Sequence, residues 1–351
     1  MSRFWNERTA GLKPYVPGEQ PKETMIKLNT NENPFPPSDK VLRAMRKAVN
    51  GDLRLYPDPE AVELREVFAK YSKVSAENVF VGNGSDEVLS FAFDAFFRAD
   101  RPVLFPDVTY SFYPVYCDHL GLKYETVPLK EDFTIDPKDY ARENGGIIIA
   151  NPNAPTGIAL TKKQIEVILK ANPDTVVVID EAYVKFGAES CVPLIKKYPN
   201  LLVVQTMSKS HSLAGLRVGF AIGSTELIEG LNRVKNSFNS YPVDRVAQAG
   251  AIASLQNKRT VDANLNNIRS TREGVSVALR GIGFDVLPSS TNFIMIKYWN
   301  CSAKDLFDHL RSKGILVRYF NLPRIDNYLR VTIGTRDEMR TFLDVVEDFI
   351  C

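Results

Sequence analysis

Short apolar runs alternate with amphipathic helical segments between residues 41 and 224. Each run is apolar on both faces, and together they include Val79–Val81, Pro102–Phe105, Ile147–Ala150, Val176–Ile179, Leu201–Val204 and Val218–Ile222. Strands of this kind, separated by helices, are typical of a mostly parallel sheet that helices cover on both sides. The pattern therefore predicts a doubly wound α/β domain, whose ligand-binding loops lie at the carboxyl edge of the sheet.

The pattern changes at both ends of the chain. The first 40 residues are rich in proline and glycine, which predicts an extended arm over a surface. A long helical pattern at 242–280 precedes the signals of a smaller α+β unit, with strands near 284–286, 292–296, 315–317 and 329–333 and helices near 303–312 and 336–349. We therefore predict a large domain (41–265) and a small C-terminal α+β domain (266–351). The N-terminal arm (1–40) is expected to join the small domain.

Composition and charge narrow the class of protein. The 351 residues suffice for two domains of about 150 residues each. With 44 basic and 42 acidic residues, the net charge of +2 provides no general field for nucleic acid or an anionic membrane. The N-terminus carries an early acid, Glu7, and lacks the apolar core of a secretory signal, and no run is long enough for a membrane span. We expect a cytoplasmic protein that acts on small molecules and binds neither nucleic acid nor membranes.

The cysteines and histidines do not predict a metal or disulfide site. The four cysteines are scattered and form no C-x-x-C motif, and the three histidines lack the spacing of metal ligands. They are Cys117, Cys191, Cys301 and Cys351, and His119, His211 and His309. We expect reduced thiols and no bound metal.

Three polar motifs directly follow predicted strands. The run 83–87 (NGSDE) precedes a predicted helix at about 85–97, and its glycine and cap residues suit either a phosphate cup without a Walker lysine or simply a capped helix. The run 151–157 (NPNAPTG) reads as a proline-stiffened turn before a helix capped by Thr161. Asp180 ends a buried strand, where a carboxylate is either solvated or pairs with a cationic ring nitrogen.

A fourth motif contains a lysine between two good phosphate ligands. Lys209 follows a predicted strand, with Ser208 before it and Arg217 after it. A lone loop lysine is usually solvated, but a lysine amine also forms Schiff bases with carbonyl groups. Pyridoxal phosphate requires such a lysine, an acid beside its ring nitrogen and a phosphate cup. All three elements follow strands in this sequence, which therefore predicts this cofactor.

Five motifs, one arm segment and one segment after the arm resemble a known family. They are NGSDE at 83–87, NPNAPTG at 151–157, DEAY at 180–183, SKSHSLAGLRVG at 208–219 and LRVTIGTRDE at 329–338, with LNTNENPFPPS at 28–38 and LRLYPDP at 53–59. Over essentially its whole length the chain resembles the fold-type I, class II aminotransferases, and within these the histidinol-phosphate aminotransferase family.

The resemblance implies catalytic roles for Lys209, Asp180 and Tyr183. Lys209 would be the internal aldimine lysine and the base that moves the proton between substrate and cofactor carbons. Asp180 would pair with the pyridine nitrogen. Tyr110 would stack on the ring, and Tyr183 would donate a hydrogen bond to its phenolate oxygen.

The resemblance also implies how the cofactor phosphate is held. The backbone amides of Ser85 and Asp86 would bind it together with Ser208 and Arg217. Tyr56 would be contributed by a neighbouring subunit, so that the active site requires a homodimer.

One residue departs from the family pattern. The position before Pro-Thr-Gly usually holds an asparagine that binds the ring oxygen, but here it is Ala154. We assign that bond to Asn153, through a shifted loop.

The resemblance assigns substrate binding to two arginines and two arm residues. Arg330 would bind the carboxylate of glutamate or 2-oxoglutarate, and the phosphate of histidinol phosphate would lie near Arg318 and Arg330. Tyr15 and Asn31 would close the site from the arm.

The implied reaction transfers an amino group between L-histidinol phosphate and 2-oxoglutarate, giving imidazole-acetol phosphate and L-glutamate in L-histidine biosynthesis. Two alternatives keep the fold and cofactor: an aromatic or broad-specificity aminotransferase, and a threonine-phosphate decarboxylase. A third is a non-catalytic ligand-binding module, because a fold does not dictate a function. The presence of Lys209, Asp180 and Arg217 argues against that module.

Overall fold

The computed structural model describes residues 2–350, which form thirteen strands and twelve α-helices. The strands are β1 (Ile26–Lys27), β2 (Val79–Asn83), β3 (Val103–Pro106), β4 (Tyr124–Val127), β5 (Gly146–Ala150), β6 (Val177–Asp180), β7 (Leu201–Thr206), β8 (Val218–Ile222), β9 (Phe284–Val286), β10 (Phe293–Tyr298), β11 (Ile315–Leu316), β12 (Arg318–Tyr319) and β13 (Leu329–Thr332). The helices are α1 (Glu7–Gly11), α2 (Asp39–Ala48), α3 (Val62–Ser72), α4 (Gly84–Phe96), α5 (Tyr113–Leu120), α6 (Lys162–Ala171), α7 (Met207–Ser210), α8 (Thr225–Phe238), α9 (Arg245–Leu255), α10 (Lys258–Gly281), α11 (Ala303–Ser312) and α12 (Arg336–Ile350).

The large sheet has seven strands in the order β2-β8-β7-β6-β5-β3-β4. Only β8 runs antiparallel to its neighbours, so the prediction of a mostly parallel doubly wound sheet is confirmed. The edge strand β4 has no counterpart among the predicted runs. Three of its four residues are exposed, and the apolar signal that marks a buried strand is therefore missing.

Both faces of this sheet are covered because side chains alternate along each strand. On β5, Ile147 and Ile149 pack into one hydrophobic core, whereas Ile148 and Ala150 pack into the other. The same division separates Val177 and Ile179 from Val178 on β6. Two apolar faces thus explain the continuous apolar runs in the sequence.

Some helices predicted from the sequence match the structure more closely than others. Thr161 caps α6 in a reciprocal capping box with Gln164, as predicted. The helical pattern at 242–280 is two helices, α9 and α10, rather than one. The break lies at Asn257, whose side chain donates to Ser38 Oγ and whose amide donates to Ser254 O. The bond to Ser38 ties this break to the start of α2, 219 residues earlier in the chain.

The small sheet has the antiparallel order β12-β13-β10-β9, and α10, α11 and α12 pack near it over a separate core. The arm joins this region, because β1 pairs in parallel with β11. The predicted strand at 315–317 is interrupted at Val317, which separates β11 from β12. The predicted boundary between residues 265 and 266 falls within α10, and the position of that boundary stays a prediction.

No helix of residues 2–350 is both long and apolar enough to cross a membrane. Within the same range, no group of three or more His, Cys, Asp and Glu side chains is placed to hold a metal ion. Cys117, Cys191 and Cys301 are free thiols, and Cys351 lies outside the described residues.

Candidate active site

A cavity of about 170 Å³ opens at the carboxyl edge of the large sheet, bordered by the arm and the small sheet. All but two of the residues predicted for the site line it, namely Tyr15, Asn31, Ser85, Asp86, Tyr110, Asp180, Tyr183, Ser208, Lys209, Arg217, Arg318 and Arg330. Because β8 runs antiparallel, its first residues lie at the edge where β6 and β7 end. The topology therefore brings Arg217 to the same cavity as Asp180 and Lys209.

The Lys209 amine is held by the arm. Its Nζ atom donates to the carbonyl of Thr30 at 3.1 Å. The side chain of Asn33 donates to the Lys209 carbonyl at 3.0 Å. The lysine lies in the short helix α7, which Thr206 caps directly after β7. The sheet thus places the lysine, and the arm orients its side chain.

Asp180 is a buried carboxylate at the end of β6, with only 5% of its surface exposed. The Tyr113 hydroxyl donates to Oδ2 at 3.0 Å and the Ala182 amide to Oδ1 at 3.1 Å. Burial raises the pKa of Asp180 to about 6, and these two hydrogen bonds only partly offset that rise. Among the ion pairs of the described residues, none involves this carboxylate. A protonated ring nitrogen would supply the missing cation.

Two glycines form the cup at the N-terminus of α4. Gly84 has a φ of +80°, and a Cβ on it would overlap the Arg217 guanidinium. A Cβ on Gly219 would overlap the backbone of Gly84 and Ser85. Only glycine at both positions lets β8 approach the exposed amides that begin the helix. These amides favour an anion.

The cup already contains charged groups. Arg217 Nη2 lies 2.8 Å from Asp86 Oδ2, and Arg217 Nη1 donates to Ser208 Oγ at 3.4 Å. Tyr110 also donates to the Asp86 carboxylate, at 3.2 Å. An anion in the cup would therefore share Arg217 with Asp86.

Tyr183 and Asn31 form one wall of the cavity. The Asn31 side-chain amide donates to the Tyr183 hydroxyl at 2.9 Å. The Tyr183 ring packs edge-on against Phe293, with ring centroids 5.1 Å apart. This places Asn31 beside a cofactor-binding candidate, a contact that its assignment to substrate binding did not include.

Asn153 does not line the cavity, contrary to its assignment from the sequence. Its amide nitrogen donates to Val108 O and to Thr156 Oγ1, and its Oδ1 accepts from Thr109. The amide is thus committed to holding the loop together. Ala154 occupies the cavity wall instead.

Arg318 and Arg330 lie directly opposite each other across β12 and β13. The Arg330 guanidinium stacks between Phe293 and Phe320, at 5.2 and 5.4 Å from the ring centroids. It donates to Asn29 O, while its buried Nε has no partner. No acidic side chain of the described residues forms an ion pair with either arginine. Two like charges facing each other without an acid suit an anionic substrate group.

The two predicted tyrosines differ in position. Tyr15 lines the cavity and packs on Phe112, with centroids 5.0 Å apart. Tyr56 lies outside this cavity, is 77% exposed and stacks on Tyr241 at 4.6 Å.

The residues that contact the site but were not predicted from the sequence include Tyr113, Thr30 and Asn33. Tyr113 follows β3 among other aromatic residues, and nothing in its spacing distinguishes it from a core side chain. The arm offered a stronger signal, because a run of three asparagines at 29, 31 and 33 is unusual next to apolar residues. Amides shielded from water need hydrogen-bond partners, and the side chains of Asn31 and Asn33 find them in Tyr183 and Lys209.

The family model described as aminotransferase class I and II matches residues 23–346. That match covers most of the chain and includes every predicted site residue except Tyr15. The chain therefore belongs to the class I and II aminotransferase family, and it is an enzyme of that class.

Within this family, the chain is most informatively compared with proteins named histidinol-phosphate aminotransferase. Histidinol-phosphate aminotransferase of Clostridium acetobutylicum is 55% identical over 351 residues, which cover 100% of both chains. Histidinol-phosphate aminotransferase 1 of Bordetella parapertussis is 57% identical over 339 residues, or 95% of each chain. A structure of histidinol-phosphate aminotransferase from Sinorhizobium meliloti in complex with pyridoxal-5'-phosphate has a TM-score of 0.89 at 24% identity, covering 99% of both chains. The resemblance found in the sequence and its fold-type I architecture are both confirmed.

Proposed function

We propose that this chain uses pyridoxal 5'-phosphate to transfer an amino group between L-histidinol phosphate and 2-oxoglutarate, giving imidazole-acetol phosphate and L-glutamate in L-histidine biosynthesis. The observation that carries the proposal is the convergence of Lys209, Asp180 and the anion cup on one cavity. The names and high identity of the relatives support the choice of substrate.

The cavity fits this cofactor at three points. The buried Asp180 carboxylate lacks a cation, which a protonated pyridine nitrogen would provide. The α4 N-terminus, Ser208 and Arg217 offer donors for the phosphate. The Lys209 amine lies in the same cavity, within reach of the arm carbonyl of Thr30.

When bound, the pyridoxal ring accepts amino groups at its aldehyde carbon and delocalises negative charge from the substrate carbon. The chain's own residues supply the remaining functions. Asp180 keeps the ring nitrogen protonated, Tyr110 and Tyr183 orient the ring, and Lys209 carries the proton to and from the substrate carbon.

The substrate end suits both partners of the reaction. L-Histidinol phosphate has a phosphate but no carboxylate, whereas 2-oxoglutarate has two carboxylates. Arg330 and Arg318 bind the anionic group of each, and a guanidinium fork accommodates either a carboxylate or a phosphate. Tyr15 borders this end from the arm.

We also propose a cytoplasmic homodimer in which Tyr56 completes the cavity of the neighbouring subunit. The support is a run of exposed apolar side chains, Leu53, Leu55 and Tyr56, together with the exposed Tyr241, on which Tyr56 stacks. Single exposed apolar side chains are common, but a contiguous group favours a protein contact. The reduced state of the three described cysteines agrees with a cytoplasmic location.

A single-turnover absorbance experiment tests the function. Purified enzyme loaded with pyridoxal phosphate is mixed separately with L-histidinol phosphate, L-glutamate, L-phenylalanine and L-threonine phosphate. We expect rapid loss of the absorbance of the aldehyde form with histidinol phosphate and glutamate. Fast conversion only with phenylalanine and glutamate would indicate an aromatic aminotransferase, and carbon dioxide release from threonine phosphate would indicate a decarboxylase. Failure of the purified protein to bind pyridoxal phosphate would exclude all three reactions: histidinol-phosphate transamination, aromatic transamination and decarboxylation.

A further inference from the structure

The loop at 151–157 contributes no side-chain amide to the cavity wall. Residue 154 is alanine, and it lines the cavity. The neighbouring Asn153 cannot substitute, because Val108 O and Thr156 Oγ1 accept the donations of its amide. The Tyr183 hydroxyl is therefore the donor left to serve a ring oxygen on this wall, and the direction of its proton matters.

The hydrogen bonds around Asn31 determine that direction. Thr332 Oγ1 accepts from the Asn31 backbone amide at 3.0 Å, so its own proton is free to donate to Asn31 Oδ1, also at 3.0 Å. With Oδ1 facing Thr332, the Nδ2 group faces Tyr183 and donates to its hydroxyl at 2.9 Å. A hydroxyl that accepts here must donate elsewhere. The structure shows no other hydrogen bond of this hydroxyl within residues 2–350, which leaves its proton for the cavity.

Asn31 is held rigidly enough to impose this polarity. Only 1% of its surface is exposed, and its carbonyl accepts from the side chain of Asn292. Its φ of 58° lies in the left-handed region, which asparagine and aspartate tolerate better than most side chains. The arm thus presents a fixed amide donor to Tyr183.

We propose that Asn31 is a positioning residue that directs the Tyr183 hydroxyl proton toward the phenolic oxygen of the bound cofactor. This inference rests on the proposed function and deepens it. Donation by Asn31 also polarises the Tyr183 O–H group, which makes it a stronger donor.

The decisive variant is Asn31→Asp, which keeps the size and the tolerance for this backbone conformation but replaces a donor by an acceptor. Tyr183 would then donate to Asp rather than to the cofactor. We expect the dissociation constant for pyridoxal phosphate to rise about tenfold, as for loss of one hydrogen bond to a charged group. We also expect the pH midpoint of the visible absorbance change of the bound cofactor to rise by about one unit, because its phenolate loses a donor.

Tyr183→Phe should reproduce both changes, and adding Asn31→Asp to it should change the dissociation constant less than about twofold, since one residue acts through the other. The matched control is Asn78→Asp, which removes a single amide donation to Gly223 O at a site distant from the cavity. It should leave both readouts unchanged.

Thr332→Val provides a second test if Asn31→Asp does not fold. It removes the hydroxyl that orients the amide and should shift the pH midpoint in the same direction by a smaller amount. An unchanged midpoint in Asn31→Asp or, failing that, in Thr332→Val would overturn the inference, as would full additivity with Tyr183→Phe. If wild-type protein binds no cofactor, the proposed function fails; if wild type binds normally and the variants match it, only the role of Asn31 fails.

Discussion

The two ends of the cavity differ in how their charges are balanced. At the end proposed to hold the cofactor (the cofactor end), Arg217 already pairs with Asp86, and Asp180 accepts two hydrogen bonds. At the substrate end, Arg318 and Arg330 face each other across two strands without an acidic partner. The proposed cofactor end is thus largely organised by the chain itself, whereas an anionic substrate would balance the charges of the proposed substrate end.

The two ends also differ in how they are built. Each cofactor-end residue predicted from the large sheet lies at a strand end or within four residues of one. The substrate end combines the small sheet with the arm, where Arg330 donates to Asn29 O across 301 positions of the chain. Changes at the cofactor end should therefore affect cofactor binding and chemistry, and changes at the substrate end should affect substrate affinity.

The largest expected effect comes from Lys209→Ala. Loss of the amine removes both the covalent link and the proton carrier, so turnover should fall by at least about 10⁴-fold, measured with histidinol phosphate and 2-oxoglutarate. Lys209→Arg keeps the positive charge and should be equally inactive. Substantial activity in either variant would contradict the role of Lys209, and the exposed Lys196→Ala should behave as wild type.

The next effect is that of Arg330→Ala. Removing the guanidinium should lower kcat/KM by about 10²–10³-fold, as for truncation of one partner of a buried ion pair. The affinity for pyridoxal phosphate should remain within about twofold of wild type, because the arginine lies at the other end of the cavity. Arg318→Ala should have a smaller effect of the same kind. A variant that lost cofactor but kept its KM would reverse the assignment of the two ends.

A smaller effect is expected for Asp180→Asn. The amide cannot balance a protonated ring nitrogen, so the dissociation constant for the cofactor should rise by about 10-fold or more, and proton abstraction should slow. Equilibrium titration by absorbance measures the first and rapid mixing the second. Wild-type values for both would remove Asp180 from the ring-nitrogen role.

The smallest effect concerns the stability of the cofactor-free protein. Burial raises the pKa of Asp180 from 3.8 to about 6 in the folded state, so protonation favours folding. This stability is present below pH 4 and is lost as the pH rises through 6, where the buried carboxylate becomes charged. Asp180→Asn should therefore raise the free energy of unfolding at pH 7 by on the order of 2 kcal/mol. Denaturant unfolding of cofactor-free protein at pH 7 measures this.

At acid pH the free energy of unfolding also depends on His211, whose contribution changes with pH in the opposite direction to that of Asp180. Its ring is buried and contacts Ser254, and burial lowers its pKa to about 4. Stability from His211 is present above its unfolded pKa of about 6.5 and is lost as the pH falls toward 4. Comparison of wild type with Asp180→Asn at each pH cancels this contribution. An Asp180→Asn variant less stable than wild type at pH 7 would contradict the predicted cost of the buried charge.

By itself the sequence determined six of the seven strands of the large sheet and the motifs of the proposed cofactor end. Strands apolar on both faces require a covered parallel sheet, and the motifs at 83–87, 180–183 and 208–219 carry their chemistry within a few residues of a strand end. Because parallel strands end at the same edge, local sequence was enough to bring Ser85, Asp180 and Lys209 together. The resemblance added the family, which the comparisons confirm.

Only the tertiary structure decided how the arm enters the site. Its asparagines at 29, 31 and 33 have the two-residue spacing of a strand, yet β1 ends at Lys27. Their partners Lys209, Tyr183 and Arg330 lie between 152 and 301 residues away. The structure likewise shows that Asn153 does not line the cavity, because its side-chain amide donates to Val108 O and Thr156 Oγ1. Hydrogen bonds between remote segments depend on how the segments pack, and no local pattern of residue types encodes that packing.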